Sequence, residues 1–294
     1  MVMKLPPVTI MGCGYVGTQL ARKIQSQTPS LLGVVNSEAS AARLKADGIH
    51  AQVMDLEQDR SPPVNGHWVF YFAPPPSRGR SDPRIANWLR SLDQQQPKKI
   101  VLISTTGVYG DCEGRWITEE EPTRPQADRA HRRVDAEQRL RQWCADNEVA
   151  ATIVRVPGIY GPQRLPEARL KQGLPVLSEE QSPWSNRIHV DDLVCACMAA
   201  ASNDFTGVVH VSDGNPGTMT DYFNRVADAL GLPRPEQISL DEARTRLGAG
   251  MLSYLTESRR LDITRMRTIL GVEPLYPDLD AGLKMCIESS QQFP

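Results

Sequence analysis

The chain has 294 residues, a formal net charge of -2 and 23% charged residues. Such a balance argues against nucleic acid or a membrane surface as the main partner. The length suits one large domain or two intimate ones, and no stretch approaches the roughly 18 apolar residues of a membrane span. The opening Met1-Val2-Met3-Lys4-Leu5-Pro6-Pro7 lacks an apolar leader stretch, so a cytoplasmic protein is expected. Cys13, Cys112, Cys144, Cys195, Cys197 and Cys286 have neither disulfide nor zinc spacing, which predicts free, mostly buried thiols and no metal site. At Cys13 a helix N-terminus can lower a thiol pKa, although a dinucleotide lying over it would shield it.

Val8-Thr9-Ile10-Met11 is an apolar β-type run that meets Gly12-Cys13-Gly14-Tyr15-Val16-Gly17 and then a helix-type pattern. In a strand–turn–helix unit each glycine has its own task. Gly12 permits the tight turn, and Gly14 lets the backbone approach a pyrophosphate. Gly17 lets the helix pack on the strand, so that its N-terminal N–H groups and dipole face the phosphates.

Further strands are expected at 30–35, 50–56, 67–73, 98–104 and 151–156, with helices at 40–47 (stopped by Gly48), 83–94 and 129–147. The alternation predicts an α/β, Rossmann-type doubly wound parallel sheet. Ligands then sit beyond the carboxyl ends of the strands, which directs attention to Asn36, Asp55, Ala73, Ser104 and Pro157. Residues 1–161 read as a dinucleotide-binding domain. Residues 162–294 read as a smaller, irregular substrate part, whose apolar run at 208–212 returns to the main sheet.

Four motifs in order, Gly12–Gly17, Ser104-Thr105-Thr106-Gly107-Val108-Tyr109-Gly110, Arg155–Pro162 and Asn186–Leu193, resemble the extended, NAD-dependent epimerase/dehydratase-like branch of the short-chain dehydrogenase/reductase superfamily. The resemblance implies that Gly12, Gly14, Tyr15, Val16 and Gly17 hold the dinucleotide, with Asp55 and Leu56 at the adenine and Ala73 and Pro74 along the cofactor. It implies that Ser104, Arg133, Pro157 and Ile159 also border the cofactor, and that Thr105 binds the reacting oxygen. Arg129, Tyr160, Arg164 and Arg187 fall on the substrate side. Asp191 and Asp192 read as helix caps and His189 as a core histidine. A homodimer through the helices after the fourth and fifth strands is implied in the same way.

The chain departs from that family at the expected Tyr-x-x-x-Lys motif. Alignment on Ala136-Glu137 places Arg129 and Arg133 there, and no tyrosine or lysine lies between Gly110 and Ile159. Arginine keeps its proton, with a pKa above roughly 12, and cannot serve as acid or base. Arg133 can hold ribose hydroxyls or a phosphate and Arg129 an anionic substrate group; decoration of a solvated helix by Arg129, Arg132, Arg133, Arg139 and Arg141 weighs about equally. Tyr109 and Tyr160 remain as candidate phenols, with Thr105 and Tyr109 as the catalytic candidates. Asn36 and Ser37 at the second strand end, with Arg43 beyond, tip cofactor choice slightly towards NADP, while Glu38 counts against it; the reading stays at NAD(P). Two functions remain open: an atypical oxidoreductase or epimerase on a small polar or nucleotide-linked substrate, or a non-catalytic NAD(P)-binding sensor or interaction protein.

Overall fold

The computed structural model describes residues 4–248, 252 and 255–292; Met1–Met3, part of the stretch read for a leader, lie outside them. Seven strands form one wholly parallel sheet: β1 (Val8–Met11), β2 (Leu31–Val35), β3 (His50–Val53), β4 (Trp68–Tyr71), β5 (Lys99–Thr105), β6 (Ala151–Val156) and β7 (Gly207–His210). Their spatial order is β7-β6-β5-β4-β1-β2-β3. The β1, β4 and β6 residues are buried throughout, as expected of parallel strands covered on both faces. The run read at 208–212 supplies β7, paired with β6 from Gly207↔Thr152 to His210↔Arg155.

Helices α1 (Tyr15–Ile24), α2 (Glu38–Ala46), α3 (Pro83–Ser91) and α4 (Asp128–Asn147) connect these strands. One core layer holds Leu20, Ala41, Leu44 and Leu193; the opposite layer holds Ile85, Trp88 and Leu140. Local sequence sets the starts. Asp82 accepts hydrogen bonds from the N–H groups of Arg84 and Ile85, with Pro83 in the first turn of α3. Ser37 caps α2 by accepting from Ser40 N. That places the α2 start two residues before the expected Ser40.

Four short strand pairs shape the remainder. Gly158–Tyr160 runs parallel to Arg187–His189, and Val176–Leu177 to Gln237–Ile238. Trp184–Ser185 pairs antiparallel with Gly217–Thr218. Trp116–Ile117 runs parallel to Arg260–Leu261, tying a late segment of the chain to the one after β5. Among the described residues no helix is long and apolar enough to cross a membrane. No disulfide joins any two of the six cysteines, and only Cys195 is half-buried.

Candidate active site

The glycine turn has the geometry its spacing requires. Gly12 sits at φ +87°, and a Cβ there would lie 2.4 Å from the backbone N of Ala73. A Cβ on Gly17 would meet Ile10 Cγ2 at 3.0 Å, so the α1–β1 packing needs its absence. A Cβ on Gly14 would meet nothing within 4 Å, leaving open space over the start of α1. That helix has neither a side-chain cap nor an acidic residue in its first turn, so its N–H groups and dipole are available to an anion. Cys13 is not acidified by this position: burial pushes its thiol up to about 12.

Beyond the turn, Ala73 donates its N–H to Met11 O and leads into Pro74, which borders a cavity of about 600 Å³. That size is ordinary for a small-molecule site. Its wall brings together Pro74, Thr105, Arg129, Arg133, Pro157, Ile159 and Arg187 of the residues expected from sequence. The Thr105 hydroxyl oxygen accepts from Gly107 N at 3.2 Å, which leaves its own proton for another acceptor. Arg133 donates to Ile103 O, and burial depresses its pKa. Arg187 donates to Asn186 O, lies 4.1 Å over the Tyr222 ring, and is likewise depressed by burial.

Other expected residues point elsewhere. Tyr109 is buried, its hydroxyl bonded to His210 Nε2 and accepting from Arg155 Nη1 at 2.8 Å. Arg155 also donates to Glu137, which accepts from Ser104 Oγ. Burial pushes the Tyr109 phenol up to about 12 and holds His210 down at about 4. His210 is therefore neutral near pH 7. With Nδ1 facing Asp262 O at 2.9 Å, it donates there, and its Nε2 accepts from Tyr109. Tyr109 and Ser104 thus belong to a satisfied buried network rather than to the cavity wall.

Tyr160 is also fully buried; a Cβ on Gly282 would fall 2.0 Å from its hydroxyl, and burial raises its pKa. Arg164 is exposed and stacks 5.0 Å over the Tyr15 ring, outside the cavity wall. Asn36 and Asp55 are exposed at the β2 and β3 ends, Leu56 is half-buried, and the Ser37 hydroxyl is engaged at the α2 cap. His189, a core residue as expected, caps its helix by accepting from Asp191 N. The expected cap Asp192 is buried instead and accepts from Leu275 N and Tyr276 N, pinning the C-terminal segment.

Sequence reasoning missed Glu257, Arg259, Trp184, Met219 and Tyr222 on the wall. Glu257 and Arg259 arrive through the two-residue pairing of Arg260–Leu261 with Trp116–Ile117, a contact too short to leave a sequence pattern. Glu257 bonds Arg259 and lies 3.4 Å from Arg129 Nη2.

Residues 84–211 match the NAD dependent epimerase/dehydratase family. A 3-diazoavenalumate denitrifying reductase from Streptomyces is 31% identical over 156 residues, which cover 51% of this chain and 51%, about half, of that protein. A functionally unknown conserved protein from Silicibacter pomeroyi is 28% identical with a TM-score of 0.84, covering 97% of this chain and 98% of its own. The UDP-glucuronic acid 4-epimerase from Bacillus cereus, in complex with NAD, superposes with a TM-score of 0.76 at 14% identity, over 98% of this chain and 99% of that one.

Proposed function

We propose that this chain is a member of the NAD-dependent epimerase/dehydratase superfamily, binds NAD(P) across the carboxyl ends of its strands and acts as an atypical oxidoreductase or epimerase on a small, polar, anionic substrate. The observation that carries the reading is the uncapped glycine turn packed against Ala73, whose neighbour Pro74 borders an arginine-lined cavity that holds Thr105. A solved epimerase of the same fold holds NAD, and a relative is named as a reductase. Both descriptions agree with hydride chemistry at this edge of the sheet.

In this reading Gly12, Gly14, Tyr15, Val16 and Gly17 hold the diphosphate. Asn36 and Ser37 meet the adenosine ribose, and Asp55 and Leu56 the adenine. Ala73 and Pro74 would run beside the cofactor, and Arg133, Pro157 and Ile159 would border its nicotinamide ribose. When bound, NAD(P) would supply the hydride chemistry at this site. Thr105 donates a hydrogen bond to the reacting oxygen and keeps its proton, the proton that balances hydride transfer comes from the substrate itself or from solvent, and Arg129 and Arg187 orient the substrate charge. A binding-only role draws on a specific observation too: both motif phenols, Tyr109 and Tyr160, face the core.

The experiment is a spectrophotometric screen of NADH and NADPH oxidation and NAD(P)+ reduction over carbonyl, aromatic-acid and sugar-nucleotide substrates, followed by Thr105→Ala. Turnover that falls at least tenfold in the variant with unchanged cofactor affinity supports the enzyme. Equal turnover in Thr105→Ala removes Thr105 from the mechanism, and cofactor binding without any turnover favours the sensor.

A further inference from the structure

Five arginines line the cavity (129, 132, 133, 187 and 259), yet Glu257 is the one carboxylate on that wall among the described residues. Its side chain is 4% exposed and that of Arg259 9%. Taking such charges out of water is costly unless each is compensated. Glu257 offers one oxygen to Arg259 and the other to Arg129, so a single carboxylate serves two guanidinium groups. The Arg129 contact, at 3.4 Å, is longer than the roughly 2.7–2.9 Å of a good charge-assisted bond. Neither Arg133 nor Arg187 has a carboxylate oxygen within 4.0 Å among the described residues. On the wall itself the guanidinium groups outnumber the one carboxylate, which grips Arg259 closely and reaches Arg129 at longer range.

The position of that anion is informative. A methyl group placed on Gly107 would lie 3.6 Å from Thr105 Oγ1 and 3.8 Å from Glu257 Oε2. The carboxylate and the Thr105 hydroxyl thus flank one point. We infer that Glu257 is the resident counter-ion of an oxyanion site formed by Arg129 and Arg259, and that the substrate carries a carboxylate or phosphate close to its reacting atom, which takes Arg129 over from Glu257. Forked guanidinium donors suit either oxyanion. The exchange breaks only hydrogen bonds and needs no further reactant.

The inference takes the location of the substrate cavity from the proposed function, but its test requires neither cofactor nor turnover. Calorimetric titration of the full chain with inorganic phosphate and, separately, with oxalate is compared between wild type and Glu257→Gln. Anion binding at the glycine turn is common to both proteins and cancels in the difference. The expected result is about tenfold tighter binding of at least one anion by Glu257→Gln, equivalent to about 1.4 kcal/mol; which anion gains tells phosphate from carboxylate. Unchanged or weaker binding of both overturns the inference. Should Glu257→Gln fail to fold, Arg129→Gln in the otherwise native chain decides: severalfold weaker anion binding is expected, and unaltered binding refutes the site. A chain that binds no NAD(P)H but shows these anion shifts would refute the cofactor reading alone.

Discussion

Gly12 and Gly14 stand two residues apart, yet alanine at each should cause a different failure. At Gly12, φ +87° places an L-residue in the left-handed region, at a cost of roughly 1–2 kcal/mol. The added Cβ would also fall 2.4 Å from Ala73 N and 2.5 Å from its Cα, and relieving such overpacking costs typically about 1–3 kcal/mol. Gly12→Ala should therefore lose about 2–5 kcal/mol, a fall in Tm of roughly 4–10 °C for a chain of this size. Gly14 has φ -86° and no atom within 4 Å of a built Cβ, so Gly14→Ala should stay within about 1 kcal/mol of wild-type stability. Its methyl group would instead occupy the approach to the α1 N-terminus, and NADPH affinity should fall at least about tenfold, or 1.4 kcal/mol. Differential scanning fluorimetry reads the first effect and nucleotide fluorescence titration the second. Wild-type Tm in Gly12→Ala, or wild-type NADPH affinity in a folded Gly14→Ala, would refute the reasoning.

Tyr109→Phe should leave Arg155 Nη1 and His210 Nε2 short of a partner in the core. Equilibrium unfolding should show a loss of about 1–3 kcal/mol with unchanged cofactor binding; intact stability with lost turnover would restore Tyr109 as a catalytic phenol. Burial raises Asp213 from 3.8 to about 7, so between those pH values the folded chain binds a proton that the unfolded chain releases. The stability this provides at acid pH is lost as pH rises through about 7. Asp213→Asn keeps an acceptor for Ser212 Oγ and Asn215 N and should be more stable than wild type at pH 8, on the order of 1–4 kcal/mol, with the difference vanishing near pH 4. A pH-independent difference would contradict the assignment.

The sheet was legible because its strands are short apolar runs between helical stretches, two of which open on clear caps at Ser37 and Asp82. Ala151–Val156 and the Gly12–Gly17 turn fall where pattern and glycine chemistry require. Parallel strands buried on both faces leave continuous apolar stretches, and no later contact overrode them. The site was half legible. Thr105, Arg129, Arg133, Pro157, Ile159 and Arg187 meet on one wall because β5 and β6 end there, the first turns of α4 cross it and the Arg187 strand pairs with the segment after β6. Side-chain direction was not legible: Tyr109 follows Thr105 by one turn of 3-10 helix and points into the core towards His210, a residue of β7. Ser37 looked like a ribose donor and is also a helix cap. Glu257 reached the cavity by a tertiary pairing far away in sequence, for which periodicity carries no signal.

Titration of the protein with NADH and NADPH, followed by nucleotide fluorescence and energy transfer from tryptophan, addresses the central claim most directly. Saturable binding of at least one nucleotide, competed by its oxidised form and lost in folded Gly14→Ala, is the predicted result. Flat titrations with both nucleotides on a folded protein would contradict the account.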